Sequence, residues 1–167
     1  MSLETKYIDL SFTKEMYGEE TVGMLLPLYI EQVAEFLDGL SSGLEKKDWG
    51  LLGRIAHKTK GSVSILGMKM LEGDLRKLQF FGEYFTKFEL QKKVSLDDEE
   101  KRELENLSNK TLRVSDLFIE EESDEINLEL KRFEEGGQLS VVPELVRNAI
   151  FLIEESAKEA SLVLESL

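Results

Sequence analysis

The chain carries one histidine, His57, and no cysteine. His57 sits in the stretch Ile55-Ala56-His57-Lys58-Thr59-Lys60-Gly61-Ser62-Val63-Ser64-Ile65-Leu66-Gly67. At 100° per residue, Leu52, Ile55, Thr59, Val63 and Leu66 share one helix face and form an apolar stripe. That geometry turns His57 nearly opposite the stripe, towards water. Gly53 and Gly61 flank it one turn away, and Ser64 and Met68 continue the same face. A glycine inside a helix costs about 1 kcal/mol relative to alanine. Two of them beside an exposed histidine are explained if something must approach the imidazole edge. Imidazole is both largely neutral near pH 7 and nucleophilic. Without a cysteine, a second histidine or a fixed carboxylate partner, it suits covalent carriage such as phosphoryl acceptance better than metal binding or triad chemistry. An ordinary solvated histidine fits the same spacing, and the residue types alone do not choose between the two.

The order of residues around His57 adds a resemblance. His57-Lys58-Thr59-Lys60-Gly61-Ser62, followed by Leu66-Gly67, is similar to the motif of the histidine-containing phosphotransfer (HPt) domains of multistep phosphorelays. The likeness extends upstream through Asp9-Leu10-Ser11-Phe12, Phe36-Leu37 and Asp48-Trp49, and downstream through Leu71, Leu75 and Leu78. It spans about residues 7 to 85. Thr59 departs from the pattern, standing where the family usually has an aliphatic residue on the buried side. The resemblance implies that His57 attacks a phospho-aspartate on a receiver domain, through Nε2, and hands the phosphoryl group to a second receiver or back. It implies that Lys60 positions the phosphoryl oxygens, Gly61 leaves room for the docking receiver and Ser62 holds the histidine helix. The expected partners are a response-regulator receiver domain, a hybrid histidine kinase, or both. Mg²⁺ is expected in the receiver's acidic pocket, with no cofactor bound by this chain. The helical wheel adds Arg54, Lys58, Gly53, Ser64 and Met68 as a docking face around His57.

Helices must position these residues. Two prolines and abundant Leu, Glu and Lys predict an all-α protein. A short leading helix or turn falls within residues 4 to 19, from Ser11 to Tyr17 and ending at Gly18. A long helix follows to about Leu44, with Leu26, Ile30, Val33, Leu37, Leu40 and Leu44 as its seam and Pro27 near its start. Asp48 reads as the N-cap of the histidine helix, Trp49 as a packing anchor beside it, and Gly67 as its C′ stop. Leu71, Leu75 and Leu78 begin the next helix, which then presents Phe80, Phe81, Tyr84, Phe85 and Phe88 on one face. An aromatic face of that size calls for a cover or a partner. The expectation is a cover from residues 94–139, with a dimer interface as the other possibility.

Residues 94–139 read as an acidic helical insertion. A helix starts at Asp97-Asp98-Glu99-Glu100 and leads to Leu104, Leu107, Val114 and Phe118. Glu120 to Glu125 follows as a solvated loop or frayed end. A short helix from Ile126 to Phe133 then stops at Gly136-Gly137. The last helix begins near Ser140, with Pro143 in its first turn and Val142, Val146, Ile150, Ile153, Ala157, Ala160 and Leu164 as its seam. The reading is one domain over 1–167: an antiparallel four-helix bundle of about 21–44, 48–66, 68–92 and 140–166. Its core is 7–93 plus 140–166. In the alternative, 97–119 closes the bundle and the last helix is an arm.

The net charge of −13 argues against nucleic acid or an anionic membrane surface as a partner. Residues 44–93 nonetheless hold eleven Lys and Arg against six Asp and Glu, so His57 lies on a basic island in an acidic protein. Such an island would attract a carboxylate-rich partner site and help hold a phosphoryl group. No apolar run is long enough to span a bilayer and no signal peptide is visible, so a cytoplasmic monomer is expected. No Gly-rich phosphate loop accompanies His57, and the chain reads as a phosphocarrier without ATP-dependent kinase activity. The rival reading is a non-catalytic helical module that docks a signalling partner without transfer.

Overall fold

Two tight connections set the topology around the histidine helix. The computed structural model describes residues 5–110 and 112–167, so the first four positions and Thr111 lie outside the described residues. Its elements are α1 Leu10–Tyr17, α2 Glu19–Glu45, α3 Trp49–Ile65, α4 Lys69–Lys92, α5 Asp98–Ser108, α6 Val114–Leu117, α7 Glu120–Glu134 and α8 Val141–Ser166. No strand occurs among the described residues. Three residues join α2 to α3 and three join α3 to α4, lengths that leave consecutive helices antiparallel. The first connection ends in Asp48, whose carboxylate accepts from the Leu51 N–H at 3.0 Å and caps α3. The second contains Gly67, which takes φ +68° just past the helix end, a conformation that costs glycine little.

The bundle closes with α8. Helices α2, α3, α4 and α8 pack as a ring, each against two neighbours. Pro143, at the start of α8, shares a groove with Leu44, Trp49 and Phe133, near the ends of α2 and α4. Val163, near its finish, lies by Ile8 and Gly67. Helix α8 is therefore antiparallel to both of its neighbours. Closure by 97–119 does not occur, because α5 packs outside the ring against α4.

The core stripe of α3 is as expected: Leu52, Ile55, Thr59, Val63 and Leu66 are all buried. In α2 the buried hydrophobic side chains are Val22, Leu26, Tyr29, Phe36 and Leu40, with Gly39 and Gly43 buried beside them, while Ile30, Val33, Leu37 and Leu44 are half-buried. A helix packed against both α3 and α8 buries a wider arc than one seam. Tyr29 enters this core because its hydroxyl is hydrogen-bonded to Ser156 Oγ at 2.7 Å, and burial pushes its phenol up to about 12. Pro27 lies well inside α2 rather than at its start. Both Pro27 and Gly23, whose carbonyl loses a donor, are on the solvent side.

Residues 94–139 cover the aromatic face, as expected. Phe118 meets Phe80 edge-on at 5.2 Å, and Phe133 stacks on Phe85 at 3.8 Å. Trp49 packs edge-on against both Phe85 and Phe133, the anchoring role expected of it. Phe80, Phe81 and Phe85 are thereby buried inside one chain, while Tyr84 and Phe88 stay half-buried. The acidic run from Glu120 to Glu125 is no loop: it forms the first turns of α7. Carboxylates at a helix N-terminus are favoured by its dipole, and Glu122 also pairs with Lys77 at 2.7 Å. No helix among the described residues is long and apolar enough to cross a membrane.

Candidate functional site

Helix α3 holds His57 exposed on its solvent side. Its Nδ1 lies 3.2 Å from Oε1 of Gln79 on α4. A carbonyl oxygen only accepts, so this contact favours the tautomer in which Nδ1 carries the ring proton and Nε2 keeps its lone pair. The imidazole is thus held to α4 through one nitrogen, Nδ1. Gln79 Nε2 in turn donates to Glu83 Oε1 at 3.0 Å, and Lys110 Nζ donates to the same oxygen at 2.9 Å.

The register that brings α4 to His57 comes from a close helix crossing at Gly82. A Cβ on Gly82 would fall 2.6 Å from the backbone nitrogen of Gly53, so α3 and α4 cross with their backbones in contact. Gly53 is buried at this crossing, where a Cβ of its own would lie 3.5 Å from the Gly82 backbone, and it borders the groove that holds His57. Gly61 differs: a Cβ there would meet nothing within 4 Å. The fold does not require this glycine, and its small size leaves space outside the chain.

The remaining predicted residues divide. Ser62 Oγ donates to Gln32 Oε1 on α2 at 3.0 Å, tying the histidine helix to its neighbour. Lys58 is exposed, but its ammonium pairs with Glu35 on α2 at 2.6 Å, away from Gln79. Arg54 is exposed and lines a groove of about 240 Å³ with His57, Glu103, Leu107 and Lys110. Lys60 lines a second groove, of about 430 Å³, with Arg76, Gln79, Phe118 and Lys110. Ser64 is half-buried and lies 3.4 Å from Glu72. Met68 is buried at 3 % exposure and leaves the docking face altogether. The helix ends at Ile65, and the positive-φ turn at Gly67 breaks the 100° progression that placed Met68 beside His57.

Gln79, Glu83 and Lys110 were not singled out by the spacing around His57. Gln79 and Glu83 do stand four apart on one helix, a readable pair. Which helix they face depends on the Gly53–Gly82 crossing, and Lys110 arrives from the segment that follows α5.

The family model described as the Hpt domain matches residues 24–136, well over half of the chain. The chain belongs to the Hpt domain family. No curated protein and no solved structure matches it. Hpt domains work by histidine phosphotransfer in phosphorelays, where they interact with receiver domains and histidine kinases. The matched stretch includes His57 and Gln79 and stops before Ser140. The helix that closes this Hpt bundle, α8, lies beyond it.

Proposed function

We propose that this Hpt domain is a phosphocarrier in which His57 shuttles a phosphoryl group between receiver-domain aspartates. The lone pair on Nε2 attacks the phosphorus of an aspartyl phosphate. The N–P bond forms as the P–O bond to the aspartate breaks, and the aspartate leaves as a carboxylate. Nδ1 keeps its proton, shared with Gln79, so the ring carries a positive charge beside the phosphoryl oxygens. Lys60 and Arg54, on either side of His57, would hold those oxygens, while Gly61 admits the receiver. The receiver's acidic pocket would supply Mg²⁺. The reading places the protein in the cytoplasm as a monomer with no ATP-dependent activity of its own.

The observation that carries this reading is the anchored Nδ1 of an exposed, solitary histidine within the family motif. The test is transfer from a panel of phosphorylated receiver domains to wild type and to His57→Gln. The expected product is an acid-labile, alkali-stable label that the variant lacks while keeping wild-type helicity and melting. A well-folded wild type that no receiver labels would leave the docking module as the better reading.

A further inference from the structure

We infer that Glu83 and Lys110 are positioning residues for His57: Glu83 selects the nucleophilic nitrogen through Gln79, and Lys110 masks the charge this places in the site. The kinetic half of this inference rests on the phosphocarrier reading, and the structural half does not.

A glutamine amide has two ends of nearly equal size, one accepting and one donating. If its oxygen faces Nδ1, the ring proton sits on Nδ1 and Nε2 is free to attack. If its NH₂ faces Nδ1, that nitrogen must accept, the proton moves to Nε2, and the outward nitrogen loses its lone pair. Glu83 decides between these. An ionised carboxylate only accepts, so Oε1 of Glu83, 3.0 Å from Gln79 Nε2, turns the NH₂ towards itself and the oxygen towards His57.

The arrangement has an electrostatic cost. Glu83 is largely shielded from water, its side chain 16 % exposed, and it lines the groove that holds His57. An arriving phosphoryl group is anionic, and an unpaired carboxylate there would repel it. Lys110 Nζ donates to the same Glu83 oxygen at 2.9 Å and offsets that charge. Lys110 follows α5, within the 94–139 insertion, and it lines the grooves on both sides of the site. The segment that covers the aromatic face thus also reaches into the phosphoacceptor site.

Because His57 is the only histidine, its ring nitrogens can be read without assignment by ¹⁵N NMR on the full chain at alkaline pH. In wild type, Nδ1 is expected to be protonated and Nε2 unprotonated. Glu83→Leu should shift the proton towards Nε2, whereas Glu83→Gln, which still offers an oxygen, should keep the wild-type pattern. An unchanged tautomer in Glu83→Leu overturns the selecting role. For the charge role, phosphoryl uptake from phosphoramidate, a small donor, is measured in parallel. Lys110→Ala should keep the tautomer and react roughly tenfold more slowly, with Glu83→Gln in the same chain restoring most of the rate. A wild-type rate in Lys110→Ala, or no recovery in the double variant, overturns the masking role. A wild type that takes no phosphoryl group removes the masking role together with the carrier reading, while the tautomer result stands on its own.

Discussion

Gly61 separates what the fold needs from what a partner needs. Its helix would be more stable by about 1 kcal/mol with alanine, and nothing within 4 Å would obstruct the added carbon. Gly61→Ala should therefore raise the melting temperature slightly. Gly61→Phe should leave the fold intact and slow transfer from a receiver by at least an order of magnitude, in the range seen when reacting groups are displaced by an ångström. Uptake from a small donor should scarcely change. A receiver-transfer rate equal to wild type in Gly61→Phe would remove the steric role. Gly53, the other glycine flanking His57 in the sequence, has a different task. Its contact is the backbone of Gly82, and no spacing within one helix reveals a crossing with the next. The exposure of His57 and Gly61 was legible because both lie on one helix, whose periodicity fixes their directions, whereas Lys60 and Ser62 were marked only by the resemblance of the motif. Gln79 and Glu83 were not, because their relation to His57 is a register between two helices.

At the scale of elements, helix ends decided which readings held. Asp48 and Gly67 carry local signals, a side-chain cap and a positive-φ turn, and both act as the sequence indicates. Helix α8 has no such local cap: the Ser140 side chain makes no capping bond. Its N-terminus is capped from α7 instead. The fully buried Glu129 accepts from the backbone N–H of Ser140 at 3.0 Å and of Val142 at 2.7 Å, and its other contact is Arg132 at 3.0 Å. Glutamate in an acidic helix reads as one more solvated charge, so this contact was invisible until the two helices were placed. Glu129→Leu strands two helix N–H groups and the Arg132 guanidinium. The expected loss is about 2 kcal/mol, the upper range for a helix cap, seen as a lower midpoint in denaturant melts. Glu129→Gln, which still accepts, should lose less. Equal losses for the two would mean that packing, not capping, accounts for Glu129.

Over the whole molecule, residues 94–139 add burial to a four-helix ring whose topology closes without them. The end of α4 and the start of α8 lie at the same end of the bundle, both bordering the groove that contains Glu89 and Pro143. A short flexible linker from residue 93 to residue 140 could join them without crossing the ring. The shortened chain would retain the four core helices and the His57–Gln79 contact. It would also lose Phe118 and Phe133, uncovering Phe80 and Phe85, together with the Glu129 cap on α8. Apolar patches of that kind drive association in soluble proteins. The expected outcome is a chain that stays helical by circular dichroism but self-associates in sedimentation and binds a hydrophobic dye. Replacing Phe80, whose ring meets Phe118, with lysine in the shortened chain should reduce the association. A shortened chain that remains monomeric and melts like the full one would show that the aromatic face needs no cover. The same deletion removes Lys110 from Glu83, so it should also slow phosphoryl uptake, and the Glu83→Gln exchange should recover the rate but not the solubility. Separate recovery of these two properties is expected because residues 94–139 meet the bundle at two places, an apolar contact on the phenylalanine face and a charge contact beside the histidine.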